Sequence, residues 1–95
     1  MVGRLSTYEG PADAIDRMRG EFERLTDELR TMNGFEHADL LVDRDSGEAM
    51  TLTLWDSEEA AGETDKFADQ SRASTIEATG VELIDRGAYT VVTRL

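Results

Sequence analysis

The chain has 95 residues, 21 Asp and Glu against 10 Lys and Arg, a formal net charge of -11, one His and no Cys. That balance disfavours nucleic acid phosphates and anionic membrane surfaces, and the lack of thiols excludes disulfides, thiolate metal sites and Cys nucleophiles. No stretch approaches the ~18 apolar residues of a spanning helix and no signal-type apolar run follows Met1, so the chain reads as one cytoplasmic domain over 1–95 with a small core.

Val2 to Tyr8 is β-compatible and is stopped by Glu9-Gly10-Pro11. Pro11 suits the first turn of a helix, where its missing N–H is not needed. Ile15, Met18, Phe22, Leu25, Leu29 and Met32 then recur at alternating steps of three and four, which predicts an amphipathic helix ending at Asn33-Gly34. Phe35 to Asp43 and Ala49 to Trp55 read as two strands joined by the turn residues Arg44 to Gly47, a hairpin. The Asp43–Gly47 run is a turn and not a calcium loop, because its twelfth position is Leu54 and not a carboxylate. Asp56-Ser57-Glu58-Glu59 opens a second helix reaching Gly80, with Ala60, Ala61, Thr64, Phe67, Ala68, Ser71 and Ile76 inward and Gly62 inviting a break. A last strand runs from Val81 to Leu95, with Gly87 as a bulge or bend.

The order β-α-β-β-α-β is that of an α+β, ferredoxin-like fold: a four-stranded antiparallel sheet with helices on one face. The last strand is apolar on both parities, through Leu83, Tyr89 and Val91 and through Ile84 and Val92. Both faces of the sheet therefore call for burial, and a second copy of the chain is the expected cover. The homodimer would carry its acids outside the joint.

Gly34-Phe35, the hairpin Leu40-Leu41-Val42-Asp43 with Ser46-Gly47, and above all Leu54-Trp55-Asp56-Ser57-Glu58-Glu59-Ala60-Ala61 resemble the antibiotic biosynthesis monooxygenase (ABM) family of dimeric α/β barrels. The resemblance implies sheet-to-sheet pairing and a small-molecule site between sheet and helices. It also implies possible oxygenation of a phenolic or quinol-type compound with no cofactor: neither flavin, haem nor metal. Oxygenating members carry an Asn four residues before the Trp and a Tyr six after it, where this chain has Thr51 and Ala61. Members that bind haem use a His on the second helix, and residues 57–79 contain none.

The catalytic candidates are therefore His37 as base, oriented by Asp39 on the same strand face, Trp55 as an aromatic platform and Arg72 as partner of a phenolate. Ligand-binding candidates are Thr51, Phe67 and Tyr89, with Tyr8 as a further pocket-lining residue. The alternative is a non-catalytic dimeric module of the same fold that binds a small apolar or aromatic ligand or serves as an accessory subunit.

Overall fold

The computed structural model describes residues 1–95. Its elements are β1 (Val2–Glu9), α1 (Ala12–Leu29), β2 (Phe35–Asp43), β3 (Glu48–Trp55), α2 (Glu58–Glu63), α3 (Asp65–Thr79) and β4 (Glu82–Thr90). The four strands form one antiparallel sheet in the order β2-β3-β1-β4, with the helices on one face. No helix is long and apolar enough to cross a membrane.

Four local features depart from the sequence expectation. The first helix stops at Leu29, not at Asn33: Thr31 and Met32 donate to the carbonyls of Glu28 and Leu29, a tighter turn that ends in Gly34 at φ 78°. A Cβ at Gly34 would lie 2.5 Å from the Ala60 Cβ, so this turn needs glycine for space as well as for φ.

The expected second helix is two helices, broken at Thr64. The Ala61 carbonyl, which would continue the helix, instead accepts from the Thr64 N–H at 3.1 Å, the Thr64 hydroxyl at 2.7 Å and the Arg4 guanidinium at 2.6 Å. Along α3 the fully buried residues are Thr75 and Thr79, Phe67, Ala68 and Ser71 turn inward as expected, and Ile76 faces solvent. Thr79 remains satisfied by donating to the Thr75 carbonyl at 2.7 Å.

The last strand ends at Thr90, leaving Val92 and Leu95 exposed. The bulge falls at Ile84, between the pairs Thr7–Asp85 and Tyr8–Leu83, and not at Gly87. Gly87 is instead roofed by the Tyr89 side chain, whose hydroxyl lies 2.7 Å from where a Cβ would stand and whose ring lies 2.9 Å from it.

Two apolar clusters hold helices to sheet. Tyr8, Ala14, Ile15, Met18, Ala49 and Val81 form one, with Leu40 and Leu83 against it. Val2, Leu29, Trp55, Ala60 and Ala61 form the other, with Met32, Phe35, Ala38 and Phe67 against it. Burying the Trp55 side chain alone removes roughly 150–250 Å² from water, on the order of 4–6 kcal/mol at ~25 cal/mol per Å². Exposed ion pairs such as Arg19–Glu23 are each worth only ~0–1 kcal/mol, so the clusters and not the surface charges decide stability.

One polar contact is better protected. Glu21 of α1 accepts from Arg24 at 2.6 Å and from Ser74 of α3 at 2.8 Å, joining the two helices. The Arg24 hydrogen bond holds the Glu21 carboxyl below its ordinary 4.5, with burial opposing and Ser74 reinforcing the shift. The contribution is complete above the unfolded-chain value and is lost as pH falls through the lower folded value. Glu21→Gln is therefore expected to lower the thermal midpoint at neutral pH, and the deficit should close on acidification through the carboxylate range. A deficit independent of pH in parallel melts would show that only packing had been lost.

Candidate functional site

On the helix-facing side, β1 presents Val2, Arg4, Ser6 and Tyr8, and β3 presents Ala49, Thr51, Thr53 and Trp55. Each strand is apolar at its ends and polar in the middle. The apolar ends build the two clusters, and the polar middles leave a space between them. This cavity of about 80 Å³ is floored by Arg4, Ser6, Thr51 and Thr53 and roofed from α1 by Phe22 and Leu25 and from α3 by Phe67, Ser71, Arg72 and Thr75.

Trp55 closes one end. Its ring is 1% exposed, meets Phe35 edge-on at 5.5 Å, and donates its indole N–H to Thr53 Oγ1 at 3.0 Å. The indole N–H is thus satisfied within the protein. Tyr8 closes the other end. Burial raises its phenol above the ordinary value of 10.0, and the nearby Arg72 charge and Ser6 hydroxyl offset only part of that. The Ser71 hydroxyl is buried beside the cavity without a hydrogen-bond partner. In a protein interior such a group is uncommon and is what a polar ligand or water would satisfy.

Beyond Arg4, Ser6 and Arg72, which the two spaces share, lies an open cleft of about 400 Å³ between α3 and the edge strand β4. Arg4 pairs with Asp65, and Arg72 with Asp69; Arg86 reaches the same Asp69 oxygen at 3.3 Å.

Of the residues singled out from sequence, Trp55, Arg72, Thr51, Phe67 and Tyr8 come together around this cavity. His37 and Tyr89 do not: both project from the opposite, uncovered face of the sheet. His37 pairs with Leu54 across the hairpin, is half-exposed, and its Nε2 lies 2.9 Å from Asp39 Oδ2, the partner expected from alternation. Tyr89 lies opposite Gly3 and is 56% exposed. Arg4, Ser6, Thr53 and Thr75 also line the cavity and are not among the sequence candidates, as does Ser71, which is expected only on the inner side of its helix. The signal for Arg4, Ser6 and Thr53 was present: polar residues on the parity of Val2, Tyr8 and Trp55 must lie under the helices.

The model of the family described as antibiotic biosynthesis monooxygenase matches residues 1–73. The chain belongs to the antibiotic biosynthesis monooxygenase family. No curated protein sequence matches it.

Among solved structures, SnoaB, a cofactor-independent oxygenase from Streptomyces nogalater, superposes with a TM-score of 0.76 at 18% identity, covering 99% of this chain and 95% of that one. The ActVA-Orf6 monooxygenase of Streptomyces coelicolor, solved with nanaomycin D, gives 0.73 at 17% identity, with coverages of 99% and 89%. MhuD, a haem degrader from Mycobacterium tuberculosis solved with two haems, gives 0.68 at 21% identity, with coverages of 100% and 99%. At these identities the likeness is one of fold. In this ABM member, α2 and α3 carry no His, and no three His, Cys, Asp or Glu side chains stand together to share a metal ion.

The buried Tyr8 phenol gives a check on the cavity wall. A raised folded pKa contributes stability that is complete below the unfolded value of 10.0 and is lost as pH rises through the folded value. Tyr8→Phe is expected to remove the latest-ionising step from the ultraviolet phenolate titration and to soften the alkaline loss of stability. Retention of that step would place the late phenol elsewhere.

Proposed function

We propose that this ABM-family protein is an oxygenase that oxidises a phenolic or quinol-type small molecule without an organic or metal cofactor. The observation that carries the reading is the assembly of an indole (Trp55), two guanidinium groups (Arg4 and Arg72) and a phenol (Tyr8) around one half-open space.

A phenol bound there gives up its proton to water in the adjoining cleft more readily, because the cations favour its phenolate. The electron-rich anion then passes one electron to O₂, and the radical pair joins as a carbon-bound hydroperoxide. Loss of water leaves a carbonyl, so a ring CH₂ plus O₂ becomes C=O plus H₂O. Tyr8, whose phenol burial keeps protonated, gives a proton to the peroxide oxygen and takes back the carbon-bound proton as water leaves. His37 has no part inside the cavity; with Asp39 it belongs to the uncovered sheet face.

At about 80 Å³ the cavity is smaller than the ~150 Å³ hole that accepts benzene, so substrate entry displaces part of the wall toward the cleft. The same size supports the second reading, a non-catalytic module that holds a small ligand, as do Thr51 and Ala61 where oxygenating relatives have Asn and Tyr. Oxygen uptake with a panel of hydroquinones separates the two. One O₂ consumed per hydroxyquinone formed, with one oxygen atom of the product drawn from ¹⁸O₂ and the other leaving as water, is expected, with Arg72→Gln slower by about 10²-fold, the scale of removing one anion-stabilising donor. Binding without oxygen consumption would leave the second reading.

The uncovered sheet face carries Leu5, Leu41, Met50, Leu52, Leu54 and Tyr89 beside His37 and Asp39. Pairing of two such faces would bury them, so light scattering is expected to give twice 10.5 kDa. A stable mass of 10.5 kDa across working concentrations would exclude the homodimer.

A further inference from the structure

Of the three arginines at the junction of cavity and cleft, Arg4 and Arg72 differ from their acidic partners in exposure, while Arg86 is as exposed as Asp69. Arg4 and Arg72 are 18% and 16% exposed, whereas Asp65 and Asp69 are 71% and 66% exposed. Arg4 and Arg72 sit in the wall, and the acids reach in from solvent. Swinging an exposed carboxylate into water costs little, because such pairs contribute little to begin with. Arg4 keeps a protein partner throughout, in the Ala61 carbonyl at 2.6 Å. Arg72 and Arg86 both depend on the same Asp69 oxygen, so one incoming anion can replace Asp69 for both.

Charge points the same way. Three of the chain's ten cationic side chains meet here against two acids, a local excess of one positive charge in a protein of net -11. An isolated cationic cleft on an acidic surface attracts anions there and repels them elsewhere. Guanidinium groups match the planar two-oxygen geometry of a carboxylate.

We propose that the Arg4–Arg72–Arg86 cleft binds a carboxylate on the ligand, which enters by displacing Asp69, and in part Asp65, as exchangeable internal counter-ions. The ligand's ring then extends past Ser6 toward Ser71 and Trp55. The proposal rests on the cavity being the ligand site and specifies what the ligand carries: an aromatic acid, in preference to its neutral counterpart.

Gentisate and its methyl ester, a hydroquinone pair differing in that one charge, test it. Binding is read by quenching of the only tryptophan, Trp55, which faces the cavity. Gentisate is expected to bind about tenfold more tightly than the ester, with the preference shrinking in high salt. Arg86→Gln, at an exposed position on β4, should cut the preference about threefold while circular dichroism stays unchanged. Asp69→Asn should tighten gentisate about threefold to tenfold, because the internal competitor is gone, whereas Glu77→Gln, the same charge change farther along α3, should not.

Equal affinity for acid and ester, equal effects of Asp69→Asn and Glu77→Gln, or no quenching by either compound would each overturn the proposal. Charge discrimination without oxygen uptake by either compound would leave the anion site standing and remove the oxygenase reading. Uptake with equal KM for both would do the reverse.

Discussion

The structure depends on an interruption in its own core. Where β1 and β3 run side by side beneath the helices, their covered residues are apolar at both ends and polar between, Arg4 and Ser6 beside Thr53 and Thr51. A continuous core would need those four positions apolar. With them polar, α1 and α3 cannot close down without burying unpaired hydroxyls and a guanidinium, which costs more than the contact returns. The helices are instead fastened at two places, by the Trp55 cluster and by the Tyr8 cluster, and the space between is held open.

Arg4 links this interruption to the break between α2 and α3. Its guanidinium takes the carbonyl of Ala61, the acceptor that a continuous helix would have used for Asp65. Thr64 takes the same carbonyl twice. With that oxygen occupied, the chain restarts as α3, whose Phe67, Ser71, Arg72 and Thr75 line the cavity. One side chain on the central strand therefore divides the helix and also lines the site. Asp69, one turn along α3 from Asp65, supplies the charge that keeps the second guanidinium paired.

Much of this was legible from the residues. The three-four stripe from Ile15 to Leu29, the hairpin around Arg44–Gly47 and the Trp-Asp-Ser-Glu-Glu-Ala junction each rest on local rules, and each stands where those rules put it. Trp55, Arg72, Thr51 and Phe67 carry no local signal that joins them, and the fold gathers them into one place. The failures share a cause. Helical spacing could not show that α1 tightens after Leu29, that Thr64 divides α2 from α3, or that Ile76 points outward, because each is settled by a partner far away in the chain. His37 was attractive for its chemistry, but strand parity sets its face, and the bulge between Phe35 and His37 sets the parity.

The position of β1 has a consequence for how the molecule assembles. It is the first strand in the chain yet sits inside the sheet, paired along one edge with β3 and along the other with β4, where Val2 meets Thr90. The β2–β3 hairpin can close early, since its turn is short. The insertion of β1 waits on contacts spanning nearly the whole chain, whose loop-closure entropy must be met before they return anything. Because β1 supplies Arg4, Ser6 and Tyr8, the ligand space belongs to the last stage of folding. A chain that has formed only its hairpin and helices has secondary structure but no site.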